Sequence, residues 1–136
     1  GRMYMFFYDP KLKKELPYYD RFPLAIMVGP APGGYYGINL HYLAPRLRAI
    51  LLDRLMDYTT GQDEKMRFKI SYRILKATTK LRPFKPCFKH YLKKHVRSQM
   101  VEVNSEDWET AIFLPTEQFK GASKRKVFGD SVEQII

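Results

Sequence analysis

Lys85, Lys89, Lys93 and Arg97 recur every four residues, and Lys69, Arg73, Lys76 and Lys80, three or four apart, form a similar set just before them. On helices this spacing gathers each set on one side, where ammonium and guanidinium groups would meet the phosphates of a polyanion. From Lys65 to Val101 the chain has twelve Lys or Arg and no Asp or Glu, leaving twelve basic against fourteen acidic residues elsewhere. The formal net charge of +10 is therefore concentrated in one stretch. Concentrated charge marks a polyanionic partner, whereas a scattered surplus would serve only solubility. Stacked like charges cost a few tenths of a kcal/mol per pair in an isolated helix, which a bound anion would offset.

Other chemistries are weaker. Cys87 and His90 are three apart, but no second Cys/His pair stands at zinc-site spacing, so no metal is expected. Cys87 among cations at a helix start would be a lowered-pKa thiol, yet nothing supplies an orienting carboxylate or an oxyanion hole. Gly33, Gly34 and Gly37 lack the strand, loop and helix order of a phosphate loop. Nuclease chemistry would need acids that hold a divalent ion beside the cations. Asp53, Asp57, Asp63, Glu64 and Glu102 are the candidates, and each has a blander role as a helix-surface, capping or strand residue. No cofactor and no enzymatic activity are expected. Of the aromatic residues interleaved with the cations, Phe84, in the Arg82–Pro86 corner, is the candidate for stacking on a base.

The elements that would carry these residues read as strands first and helices afterwards. Residues 2–8, 22–28 and 35–42 are strand candidates, the last with Tyr36, Ile38, Leu40 and Tyr42 on a buried side and Tyr35, Gly37, Asn39 and His41 on a more polar one. The Gly29–Gly34 run is expected to turn a hairpin. Pro45 opens a helix to about Thr59, with Leu47, Ile50, Leu51, Leu55 and Tyr58 inward and Arg46, Arg48, Asp53, Arg54 and Asp57 outward. Two basic amphipathic helices follow, the second from Pro86 to Arg97 with Phe88, Tyr91, Leu92, His95 and Val96 inward. A short strand over 99–103, a helix after Ser105 and another after Ser123 complete the reading. The fold class is α+β, with an N-terminal hairpin or small antiparallel sheet packed on a helical part.

At 136 residues the chain is expected to form one domain. Its apolar runs are strand-sized, so neither a signal peptide nor a membrane span is expected. The lone Cys87 fits a reducing compartment or a virion interior. Gly1 and Arg2 precede Met3, as a cloning remnant or as part of a longer protein.

The run Tyr18-Tyr-Asp-Arg-Phe-Pro-Leu24, the run Gly37-Ile-Asn-Leu-His-Tyr-Leu43 and the segment Trp108-Glu-Thr-Ala-Ile-Phe-Leu-Pro115 resemble a family of small proteins from T-even-type tailed bacteriophages. These are virion and DNA-packaging proteins, among them DNA end protectors. The resemblance spans Met3 to Val132 and names no catalytic residue. It implies a phage setting, with DNA and other virion proteins as partners, no membrane, localisation to the virion and to the host cytoplasm during assembly, and self-association left open. The expected function is DNA binding by phosphate contacts from Lys69, Arg73, Lys76, Lys80, Lys85, Lys89, Lys93 and Arg97. The alternative is a connector of tail, baseplate or neck that makes protein contacts only.

Overall fold

A computed structural model describes residues 2–59 and 86–133. Five antiparallel strands form the main sheet in the order β5-β4-β3-β1-β6, with β1 at Met3–Met5, β3 at Leu24–Ala31, β4 at Gly34–Asn39, β5 at Phe88–Leu92 and β6 at Val101–Val103. A two-stranded sheet pairs β2, Tyr19–Asp20, with β7, Phe119–Lys120. The helices are α1, Pro45–Thr59, α2, Trp108–Phe113, and α3, Lys124–Glu133. The fold is α+β, as the order of strands and helices in the sequence anticipates.

Register follows from one apolar row. Val103 pairs with Met3, Met3 with Ile26, Ile26 with Ile38 and Ile38 with Phe88. Met3, Ile26 and Ile38 are buried in the cluster that also holds Leu51 and Leu52 of α1 and Ile112 of α2. Slipping any strand by one residue would turn this row outward, so burial of one face fixes the pairing. The opposite face carries a smaller cluster of Phe6, Tyr8, Ala25 and Tyr91.

The hairpin expected from Gly29–Gly34 is present, but only Pro32 and Gly33 turn. Pro32 has its φ set near −65° by its ring and Gly33 stands at φ +72°, the proline-glycine order of a type II turn. β3 runs through Pro30 because β1 pairs only with Leu24–Ile26. A residue without an N–H is tolerated where β4 alone flanks the strand.

The helix expected from Pro86 to Arg97 does not form. Phe88–Leu92 is a strand, followed by a 3-10 turn at Lys93–His95. Helical spacing of the cations loses here to aromatic packing across strands. Phe88 stacks on Tyr36 with centroids 5.2 Å apart, and Tyr91 meets Phe6 and Tyr8 edge-on at 5.2 and 5.0 Å. Such pairs stabilise a sheet, and without β5 the tyrosine-rich β4 would be an open edge. Gly34 permits the approach, since a Cβ there would lie 1.8 Å from the Tyr91 carbonyl oxygen. The first basic helix lies outside the described residues.

Helix α1 has the expected bounds, but Arg48, expected to face outward, is 1% exposed. Its Nε donates to the carbonyls of Leu40 and Leu43 at 2.8 and 2.7 Å, Nη1 to that of Ile112 at 2.8 Å, and Nη2 to that of His41 at 3.2 Å and to Glu117 at 3.4 Å. The 3-10 turn at Leu40–Tyr42 and the end of α2 present carbonyls with acceptor capacity to spare, Leu40 already accepting the Leu43 N–H at 3.0 Å, and a fork of five N–H groups on the adjacent helix fills it. Ile50, expected inward, is 40% exposed, because the buried side of α1 is centred on Arg48, Leu51 and Leu52.

Removing this guanidinium takes a buried donor from Glu117 and from four carbonyls. Arg48→Met is expected to lower unfolding free energy by about 3–5 kcal/mol, and Arg48→Lys to recover only part of it, because one ammonium cannot fork to five acceptors. Urea midpoints measure both, and a Met variant as stable as the parent would contradict the assignment.

Candidate nucleic-acid interface

Of the expected cations, Lys89, Lys93 and Arg97 do not share a helical face. Lys69, Arg73, Lys76, Lys80 and Lys85, with the stacking candidate Phe84, lie outside the described residues. Lys89, on β5, is half-buried with its ammonium 4.0 Å from the centre of the Tyr42 ring, and burial lowers its pKa. Lys93 is exposed in the turn, 5.1 Å over Tyr35. Arg97 extends towards Asp9 at 3.8 Å. Alternation along a strand and the following turn separates residues that a helix would have stacked.

Cys87 and His90 also part. Cys87 is buried, and burial pushes its thiol up to about 12, the reverse of an activated nucleophile. His90 is exposed and its Nε2 lies 2.8 Å from the Pro32 carbonyl. Among the acids considered for nuclease chemistry, Glu102 pairs with Arg2 at 3.1 Å and Asp53 lies exposed on α1. The side chains of Asp57, Asp63 and Glu64 lie outside the described residues.

Two of the segments that carry the phage resemblance meet in a buried polar network centred on Asp20, and the third adjoins it. Oδ1 of Asp20 accepts the N–H groups of Phe22 and Gln118, both at 3.0 Å. Oδ2 accepts the Asn39 amide at 3.0 Å and lies 2.7 Å from Nδ1 of His41. Burial alone would raise the Asp20 pKa, but these donors, His41 foremost, hold it below its ordinary value. An ionised carboxylate only accepts, so His41 carries its proton on Nδ1 and exchanges a hydrogen bond with Thr116 Oγ1 through Nε2 at 3.0 Å. Beyond it stand Glu117, Arg48 and the Lys124 ammonium, 2.7 Å from Glu117. Against a burial effect that raises it, Lys124 and Arg48 hold Glu117 below its ordinary value. Carboxylate, imidazole and hydroxyl follow in the order of a nucleophilic triad. Here the His41 ring has no exposure, and the chain of bonds ties β2, the 40–42 turn and the 116–118 segment together. The polar side expected for the 35–42 strand is thus internal, with Asn39 and His41 facing a carboxylate and not water.

The network sets up a surface. Asp20 lies between Tyr19 and Arg21, and β2 pairs Tyr19 with Lys120. Tyr8 N–H donates to the Arg21 carbonyl and Arg97 N–H to that of Phe7, at 2.9 and 2.8 Å. The result is an open cleft of about 630 Å³ with Lys13, Arg21, Arg97 and Lys120 around Tyr8, Tyr19 and Phe7. Phe7 is 39% exposed and packs on Phe22 with centroids 4.5 Å apart. Asp9 supplies the acid, bonded to Lys13 at 2.9 Å, and the Lys13 ammonium holds its carboxyl below its ordinary value. Cations around the partly exposed rings of Phe7 and Tyr19 are the equipment for a phosphate backbone and its bases. Only Arg97 of this set belongs to the basic block. The cleft draws on four distant parts of the chain, and no local pattern reveals it.

Asp20 and Glu117 also set the acid response. Both folded-state pKa values lie below the unfolded ones, so the unfolded chain takes up protons first as pH falls. The stabilisation is full at neutral pH and is lost from about pH 5 downward through the lowered values. In Asp20→Asn the urea midpoint is expected to start lower at pH 7 and to fall less between about pH 5 and pH 3. Parallel curves would show that Asp20 does not carry this dependence.

Comparison with known proteins agrees with the resemblance in the sequence. The family model described as Phage T4 terminal DNA protecting protein matches residues 1–133. No curated protein and no solved structure matches the chain. With nearly the whole length covered, the chain belongs to the Phage T4 terminal DNA protecting protein family.

Proposed function

We propose that this chain binds the ends of phage DNA as a non-enzymatic protector, holding the duplex by its phosphates and denying the terminus to exonucleases. Family membership is the observation that carries the reading. The cleft of Lys13, Arg21, Arg97 and Lys120 supports it with a surface of suitable charge and aromatic content. Lys69, Arg73, Lys76, Lys80 and Lys85 are proposed as additional phosphate contacts, together with exposed Lys93. Lys89 lines a separate cavity. The setting is the host cell at the time phage DNA ends are free, and the packaged particle. No helix among the described residues is long and apolar enough to cross a membrane.

A connector that touches only other virion proteins is the second reading. Val101, Phe113 and Leu114, exposed by 58, 58 and 48%, favour it, since exposed apolar side chains suit a protein partner. Binding to random-sequence duplex separates the two readings, because a connector has no reason to bind it.

Neutralising charges of either sign tests the cleft. Replacing Lys13, Arg21, Arg97 and Lys120 together by Gln is expected to weaken duplex binding for every sequence. It should also flatten the slope of log affinity against log salt by about 0.9 for each phosphate that the variant leaves without a cation. Asp9→Asn frees Lys13 and Arg97 and is expected to tighten binding. Slopes measured by fluorescence anisotropy decide it, and an unchanged slope in the fourfold variant would remove the cleft from the interface.

A further inference from the structure

A second cavity, of about 300 Å³, shares Tyr8 and Tyr19 with the basic cleft, so the two adjoin at these residues. Its floor is β5 and β4, with Lys89, Tyr91 and Asn39, and Tyr18 and Tyr42 add further rings. Two of its polar groups have no hydrogen-bond partner of good geometry among the described residues. The Tyr91 hydroxyl is buried and makes no hydrogen bond of good geometry among the described residues; the nearby Asn39 amide donates one of its N–H groups to Asp20. The Lys89 ammonium rests on the face of Tyr42 with no carboxylate at ion-pair distance among the described residues. Asp20 reaches the same cavity, but both its oxygens are taken by protein donors. Leu12 and Leu16, exposed by 52 and 42%, stand at the mouth.

A buried hydroxyl without a good hydrogen bond and a half-buried ammonium held only by an aromatic face are each costly in a folded protein. Together in a tyrosine-lined cavity they describe a ligand with an anionic group, a flat ring and a polar edge. The volume lies at the lower end of small-ligand sites, enough for one nucleotide and too small for a base pair. Because the cavity adjoins a cleft suited to phosphates, a strand lying in that cleft would deliver its last residue here.

We propose that this cavity receives the unpaired terminal nucleotide of a DNA end, with its phosphate on Lys89, its base among the tyrosine rings and a polar edge of the base on the Tyr91 hydroxyl. The proposal rests on the DNA-end reading above and gives it a means of telling an end from continuous duplex. Stacking on aromatic rings accepts any base, so the end is recognised with little regard to sequence.

The test compares a short duplex carrying a one-nucleotide overhang with the same duplex closed by hairpin loops at both ends, in one anisotropy series. The parent chain is expected to prefer the open end. Tyr91→Phe removes only this poorly bonded hydroxyl, so it should leave stability equal or higher while reducing the preference about two- to tenfold. Lys89→Met should reduce it about tenfold or more, and neither should change binding to the closed duplex. A preference that survives both variants, or none in the parent, would overturn the pocket assignment and leave the cleft standing. Absence of binding to either DNA would overturn both readings. A free nucleoside monophosphate that competes as strongly as the overhang would reassign the cavity to soluble nucleotides and refute the terminal assignment.

Discussion

The Asp20 carboxylate, with four protein donors around its two oxygens, is the interaction on which the proposed binding surface depends. β2 and β7 have two residues each, far too few to hold together as an isolated ladder. Donors from Phe22, Asn39, His41 and Gln118 close that gap by tying both strands to the main sheet and to the segment after α2. A buried charge is tolerable only when paired and hydrogen-bonded, and here the pairing extends through His41 and Thr116 to Glu117, Arg48 and Lys124. Fixing Asp20 fixes its neighbours Tyr19 and Arg21, and through the pairing of β2 with β7 it fixes Lys120. Three residues of the cleft are therefore placed by one internal carboxylate.

The cations divide by environment. Arg48 is wholly internal and serves carbonyl groups that helix and turn ends present. Lys89 is half-buried on an aromatic ring, where desolvation favours its neutral form. Lys13, Arg21, Lys93, Arg97 and Lys120 are exposed, where phosphate contact releases counterions. A net charge of +10 states the sign of the partner but not which residues meet it, because equal charges do different work at different depths.

Features set by local chemistry were legible in the sequence. Pro45 marked the start of α1, the proline-glycine run marked the hairpin, and Ser123 marked α3, where its Oγ accepts the Lys126 N–H at 3.2 Å. The α+β class followed from the order of these signals. Features set by distant partners were not legible. Phe88–Leu92 fits helix and strand periods alike, and only Tyr36, Phe6 and Tyr8, all far earlier in the chain, decide for the strand. Arg48 stands where an outer face was expected, and the carbonyls that draw it inward come from Leu40, Leu43 and Ile112. The cleft takes Phe7 to Lys13, Tyr19 and Arg21, Arg97 and Lys120 from four segments. Yet the runs Tyr18–Leu24 and Gly37–Leu43, which carry the phage resemblance, hold Asp20, Asn39 and His41, so the network left a mark in the sequence without revealing its geometry.

Residue-resolved hydrogen exchange on the parent chain and on Asp20→Asn tests the central role of this carboxylate most directly. In the parent the amides of Phe22 and Gln118, which donate to Asp20, and that of Arg21, which donates to the Gln118 carbonyl at 2.9 Å, should exchange slowly. The substitution should release these three while the amides of β3 and β4 keep their protection. Equal protection in both chains would mean that the small sheet and the cleft it carries are held by something other than Asp20, and uniform loss across β3 and β4 would mean that the carboxylate supports the whole fold and not this surface.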